Sequence, residues 1–239
     1  DTPLIVDANQ AYPPGVALRL FKRMERYGLW SIEQPCFRTD LKAHSALRKA
    51  LDTPIMLDES VKSVEELEKA VKAGALDALN LKPCRVGGPL KALDILEACV
   101  EAGVSLYVGS GRELGVGGAT LLHISSIVPE ELFYGCEIGW WQLTGFDIVK
   151  KPLIAKDGFM KVPEGRGLGV DLVSKERLKN LIKKRGGETS SLHEVSLSFS
   201  LKAFLNNISQ SFLSFLGASL RPYFALNELK HRLYGERAL

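Results

Sequence analysis

The 239-residue chain carries 31 lysines and arginines against 28 aspartates and glutamates, a net charge of +3. A balance so near neutral gives no basis for a nucleic-acid partner or an acidic surface. Cys36, Cys84, Cys99 and Cys136 form no CxxC pair, which argues against a zinc knuckle or a disulfide framework and fits a reducing, cytoplasmic setting.

In chain order, short apolar runs alternate with helix-period segments. "LIVDAN" reads as a strand. Residues 14–27 read as a helix with Val16, Leu20, Met24 and Tyr27 on one face. "LWSIEQP" is a strand, and "DLKAHSALRKAL" a helix with Asp40 as N-cap. "PIMLDES" is a strand; the helix after it opens on Ser63 and Glu66 in a capping-box arrangement and stops at Gly74. "ALDALNLKP" is a strand, "GPLKALDILEACVEAG" a helix, "VSLYVGS" a strand and "GVGGATLLHISSIV" a helix. Beyond residue 130 the pattern breaks into short strand-like pieces with Gly-rich turns, among them a hairpin at "KDGFM", before helix returns at 174–184. The first 185 residues therefore read as one α/β domain. Residues 186–239 form an atypical Ser-, Leu- and Phe-rich tail, with Leu201, Phe204, Leu205, Ile208, Phe212, Phe215 and Leu216 at helical spacing. Asn206, Asn207, Ser209 and Gln210 make this tail too polar for a membrane span.

Asp7, Glu33, Asp58 and Lys82 each end a predicted strand, at separations of 26, 25 and 24 residues. Each gap is one βα unit, so the same end of four successive parallel strands faces one place. In a closed barrel that place is the C-terminal mouth, where active sites are built. A doubly wound sheet would put its site at a switch point and would not align four strand ends in order.

Three carboxylates in one low-dielectric mouth repel one another unless a cation offsets them. Oxygen ligands of this kind suit Mg²⁺, with Mn²⁺ an alternative. Taken singly, each acid is more often a solvated strand end; the three in register are not explained that way. Asn9 and Glu59 stand next to the acids, as groups that could orient them. A lysine beside such a cation can take a proton from carbon when neutral, or stabilise an oxyanion when charged. Abstraction of a proton α to a carboxylate needs this combination, because the carbon acid is weak and the enolate needs positive charge. Downstream, "GSGRELGVGG" supplies Gly109, Ser110, Gly111 and Glu113. Its glycines let backbone approach a ligand, and Glu113 can bond the substrate or Lys82.

The motifs "DANQAY", "IEQP", "LDES", "NLKPCRVGG" and "GSGRELGVGG", in this order over about residues 3–180, resemble the enolase superfamily, muconate-lactonizing subgroup. The likeness is strongest to o-succinylbenzoate synthases and N-acylamino acid racemases. It implies a (β/α)8 barrel with Asp7, Glu33 and Asp58 as Mg²⁺ ligands and Lys82 as the sixth-strand acid/base. It also implies a small carboxylate substrate and a homo-oligomeric parent. Glu113 matches an acid near the family's seventh strand, and Glu137 in "EIGWW" falls at the eighth. The family's KxK motif on the second strand and its N-terminal capping domain would precede residue 1, so the chain is expected to be a partial barrel from a longer protein. Racemisation, dehydration, cycloisomerisation and dipeptide epimerisation share the first step. Two readings from other classes compete: a Schiff-base lyase using Lys82, and a non-catalytic interaction module using the tail.

Overall fold

The computed structural model describes residues 2–139 and 146–186. Six strands form one all-parallel sheet in the order β1-β2-β3-β4-β5-β6: Leu4–Asp7, Leu29–Glu33, Ile55–Leu57, Ala78–Leu81, Ser105–Val108 and Phe133–Cys136. Sequential order without reversal is the winding of a barrel and leaves no switch point. The middle strands are buried on both faces, with Ile55, Met56, Leu57 and Ala78 fully inaccessible. That is why they read as apolar runs rather than as alternating patterns.

Seven α-helices occur among the described residues: α1 Pro14–Met24, α2 Leu41–Ala50, α3 Val64–Ala73, α4 Pro83–Val86, α5 Pro89–Ala102, α6 Gly115–Ser125 and α7 Lys175–Gly186. Local chemistry sets their ends. Asp40 Oδ1 accepts from Ala43 N–H at 2.9 Å, and Ser63 Oγ accepts from Glu66 N–H at 3.3 Å. Glu66 bonds Lys62 N–H at 2.7 Å, one residue earlier than a reciprocal capping box would place it.

Helix α1 corrects the expected apolar face. Ala17 and Phe21 are buried, whereas Val16 is 40% and Tyr27 60% exposed. Leu20 and Met24 flank the buried stripe, and Phe21 meets Tyr12 edge-on at 5.9 Å. A small Ala lets the helix approach the sheet closely, so the stripe sits one residue round from the bulkier set. The sequence also gave no sign of α4, a single turn with Pro83 in its first turn. Gly87 and Gly88, at φ of +98° and +110°, turn the chain from α4 into α5.

Two bulges report how the sheet winds. Leu4 pairs with Leu29 but Ile5 with Ser31, leaving Trp30 extra; Leu106 pairs with Phe133 but Tyr107 with Gly135, leaving Tyr134 extra. These two bulged residues stack on each other, ring centroids 4.5 Å apart and planes at 11°, and the Tyr134 hydroxyl donates to the Trp30 carbonyl at 3.3 Å. Three strands separate β2 from β6, so the rings meet only because the sheet curls.

The described residues divide into two compact units: those up to Glu113 with Thr120–Ile138, and Leu114–Ala119 with the described residues after Ile138. In the second, Ile148, Val173 and Leu178 pack with Leu114, Val116, Phe146 and Leu172. Asp147 Oδ1 accepts from Gly115 N–H at the start of α6, at 2.8 Å. The expected hairpin is present, Lys156 and Phe159 exchanging bonds of 2.8 and 2.9 Å. The tail from residue 187, with its expected apolar stripe, lies outside the described residues. Among those residues no helix is long and apolar enough to cross a membrane.

At the opposite end of the sheet from the strand-end acids, Glu25 Oε1 accepts from Asp52 N–H at 2.5 Å and Thr53 N–H at 3.0 Å, and Oε2 pairs with Lys22 at 2.7 Å. Burial works against its charge, but the bonds from Lys22, Thr53 and Asp52 outweigh it and hold the carboxyl below its ordinary value. Its stabilising effect is therefore complete above the ordinary carboxylate range and is lost as pH falls through the folded value. Glu25→Gln keeps an acceptor and removes the charge. It should cost about 0.5–1.5 kcal/mol at neutral pH, and thermal unfolding from neutral to acid pH should show the gap to the wild type closing.

Candidate active site

Strand register brings the acids together. Asp7 and Glu33 are paired residues at the ends of β1 and β2. Asp58 follows β3 directly and Lys82 follows β4. Asp7 is exposed, whereas Glu33 is 6% and Asp58 2% exposed. Asn9 holds Asp7 twice, through its backbone N–H at 2.8 Å and through its side-chain amide. The two bonds fall on the two carboxylate oxygens.

Burial pushes Glu33 above its ordinary value, and the charges of Asp7 and Glu59 add to that. Asn80 and Lys82 oppose them, Asn80 donating to Glu33 Oε1 at 2.7 Å. Asp58 faces two cations: Lys82 Nζ lies 2.9 Å from Oδ2, and Arg85 forms an ion pair with Oδ1 that lacks hydrogen-bond geometry. Lys82 is itself only 15% exposed. Glu59 is half-buried, and its Oε2 has no hydrogen-bond partner.

Among the described residues, no three His, Cys, Asp or Glu side chains converge as a formed metal cage; Asp58 is turned to Lys82 and Arg85 instead. The donor set nonetheless fits a hard cation. Four carboxylates, Asp7, Glu33, Asp58 and Glu59, are electrostatically linked with two cations, Lys82 and Arg85. When all are ionised the excess is two negative charges, which one divalent cation would neutralise.

The β5 side closes against this group. A Cβ on Gly109 would come within 2.8 Å of Lys82 Cε and would also strike the Asn80 amide. The expected close approach at this glycine therefore serves neighbouring side chains. Ser110, Gly111 and Glu113 form their own knot: Glu113 accepts from Ser110 Oγ at 2.6 Å and from Gly111 N–H at 2.8 Å. Desolvation around its sulfur, with Glu113 beside it, pushes the Cys84 thiol up to about 11, although the residue as a whole is exposed. Tyr107, paired with Asn80 across β4 and β5, is pushed up to about 12 by burial and by Glu137, Cys136 and Glu33. Its phenol keeps its proton.

Sequence reasoning passed over Asn80, Arg85 and Gln34 as site residues. Asn80 stands two before Lys82 and so shares its face of the strand, a period-2 signal that was available. Arg85 and Gln34 lie inside the quoted motifs and carry no positional signal of their own.

A family model described as enolase C-terminal domain-like matches residues 1–176. An N-succinylamino acid racemase of Thermus thermophilus is 39% identical over 176 residues, covering 72% of this chain and 46% of that protein. An o-succinylbenzoate synthase of Geobacillus kaustophilus is 35% identical over 176 residues, covering 72% and 45%. A dipeptide epimerase of Cytophaga hutchinsonii, solved with Mg and a dipeptide, superimposes with a TM-score of 0.67 at 26% identity, covering 72% and 47%. The chain thus spans about half the length of the curated relatives it matches.

The tight seat of Gly109 can be tested directly. Gly109→Ala should overpack Asn80 and Lys82 and cost about 1–3 kcal/mol, read as a lowered midpoint in denaturant with an unchanged slope.

Proposed function

The chain belongs to the enolase C-terminal domain-like family, as a partial (β/α)8 barrel, and on that footing we propose that it contributes the proton-abstracting half of an active site acting α to a carboxylate. The observation that carries this reading is the succession Asp7, Glu33, Asp58 and Lys82 on four adjacent strand ends, with Lys82 Nζ 2.9 Å from Asp58. Asp7, Glu33 and Asp58 would hold Mg²⁺ or Mn²⁺, which when bound supplies positive charge opposite the substrate carboxylate as the α-carbon loses its proton.

The remaining work falls to this chain's own residues. Lys82 Nζ takes or returns the proton at the α-carbon. Asn80 fixes one oxygen of Glu33 so that the other is free to face a ligand. Asn9 engages both oxygens of Asp7, its backbone N–H on Oδ1 and its side-chain amide on Oδ2, and so fixes the plane of that carboxylate. Arg85 shares Asp58 with Lys82, so the lysine is not the sole partner of that acid. Burial of Glu33 and Asp58 keeps water from screening these charges.

The racemase and synthase relatives direct the substrate reading to N-succinylamino acids or to dehydration yielding o-succinylbenzoate. Cycloisomerisation and dipeptide epimerisation, which share the proton-abstraction step, come second. A small-molecule carboxylate, a cytoplasmic setting and a homo-oligomeric parent complete the proposal.

Two measurements test it. Mg²⁺ should raise the thermal midpoint of the chain relative to EDTA, by binding only the folded state, and should leave Asp58→Asn unmoved. Exchange of the α-proton of an N-succinylamino acid into deuterated water, followed by proton NMR, should be abolished in Lys82→Ala. Exchange at the wild-type rate in that variant would refute the role of Lys82. Capture of the substrate by borohydride would favour Schiff-base chemistry instead.

A further inference from the structure

Gln34 follows Glu33 directly, is fully buried, and meets Asp58 only through that residue's backbone. We propose that Gln34 is a positioning residue whose side-chain amide sets where Asp58 stands relative to Glu33, and thereby sets the affinity of the carboxylate group for a divalent cation. The inference rests on the reading that Asp7, Glu33 and Asp58 hold such a cation.

The main chain of Gln34 joins three strand ends. Its N–H donates to Met56 O at 2.9 Å on β3, and its carbonyl accepts from Gln10 N–H at 2.8 Å, three residues beyond Asp7. Its φ is +37°, a region that residues other than glycine seldom enter. Such a conformation persists only where the surroundings over-determine it, and it gathers at functional sites.

The side chain makes the second connection. Gln34 Oε1 accepts from Asp58 N–H at 2.9 Å and from Ser60 N–H at 3.3 Å. Nε2 shares its two protons among three acceptors, Ser60 Oγ at 2.7 Å, Cys36 O at 3.1 Å and His44 Nε2 at 3.2 Å. His44 fixes which way the amide faces. Its Nδ1 is 2.8 Å from the Asp40 carbonyl, which can only accept, so Nδ1 carries the proton. His44 Nε2 is then an acceptor, its one lone pair shared by the Gln34 amide at 3.2 Å and Cys36 N–H at 3.4 Å. At the other end the N–H groups of Asp58 and Ser60 can only donate, so they demand the amide oxygen. Both ends select one orientation.

Burial locks the arrangement, since Gln34, His44, Asp58 and Ser60 are all buried. A side chain without the amide would leave the N–H groups of Asp58 and Ser60 without acceptors, and the β3–α3 loop would shift to find water. Asp58 would move with it, away from its place beside Glu33.

The test is Mn²⁺ binding to the full chain, followed by electron paramagnetic resonance of the free ion. Gln34→Met keeps the length of the side chain and removes the amide; it should weaken binding about 10-fold or more, the range for groups that orient ligands. Leu96→Ala, which hollows a fully buried position in the second half of α5, should lower the thermal midpoint and leave Mn²⁺ affinity within about two-fold. His44→Leu removes the acceptor that orients Gln34 and should weaken binding severalfold. His44→Gln, whose amide oxygen can stand in for Nε2, should restore it. Wild-type affinity in folded Gln34→Met, or in His44→Leu if the first variant does not fold, would overturn the positioning role and leave the cation site standing. Absence of Mn²⁺ binding by the wild type, or equal binding by Asp58→Asn, would overturn the cation reading and this inference with it.

Discussion

Like charges brought together out of water are the constraint on which this structure turns. A parallel sheet wound in sequence order delivers every strand end to the same side, so acids placed at strand ends must meet. Glu33 shows the cost: burial and its acidic neighbours raise it above its ordinary value. What keeps the group together is a set of specific partners. Asn80 donates to Glu33, Asn9 to Asp7, and Lys82 and Arg85 face Asp58. A pair of charges this buried contributes little net stability. Its persistence is better explained by what the mouth does than by what it adds to folding.

The supporting elements follow from that demand. Gly109 leaves room for Asn80 and Lys82 to stand side by side, and Gly87 and Gly88 turn the chain back so that α5 packs behind the lysine. Gln34 ties β1, β2 and β3 at the level of the acids. The opposite end of the sheet is a separate economy of contacts. There Glu25 serves the link between α2 and β3, and Arg48 pairs with Asp77 at 2.7 Å. Barrels commonly divide labour this way, with chemistry at one end and stability at the other.

Much of this was legible in the residues because the signals were periodic or local. Asp40 and Ser63 announce their helices by side-chain chemistry alone, and the regular spacing of Asp7, Glu33, Asp58 and Lys82 fixes both barrel topology and mouth. What was not legible depended on distance. The α1 face was misplaced because Val16 and Tyr27 fit the helical period as well as Ala17 and Phe21 do; only the approach of the sheet decides between them. Strand β6 was blurred by the bulge at Tyr134, which breaks its alternation. Gln34 gave no sign of its part, because its partners Ser60 and His44 are 26 and 10 residues away and become neighbours only through folding.

The stacked pair of Trp30 and Tyr134 has a bearing on how the chain reaches this state. Adjacent strands pair after one βα unit, so most of the sheet can assemble by short closures. Trp30 and Tyr134 are 104 residues apart, and their rings cannot meet until every intervening strand has joined and curled. Long closures carry the larger entropic cost and slow the approach to the native state. The indole of Trp30 is therefore a natural reporter of the last stage of assembly: its fluorescence changes when the winding is finished, after the individual strand pairs have formed.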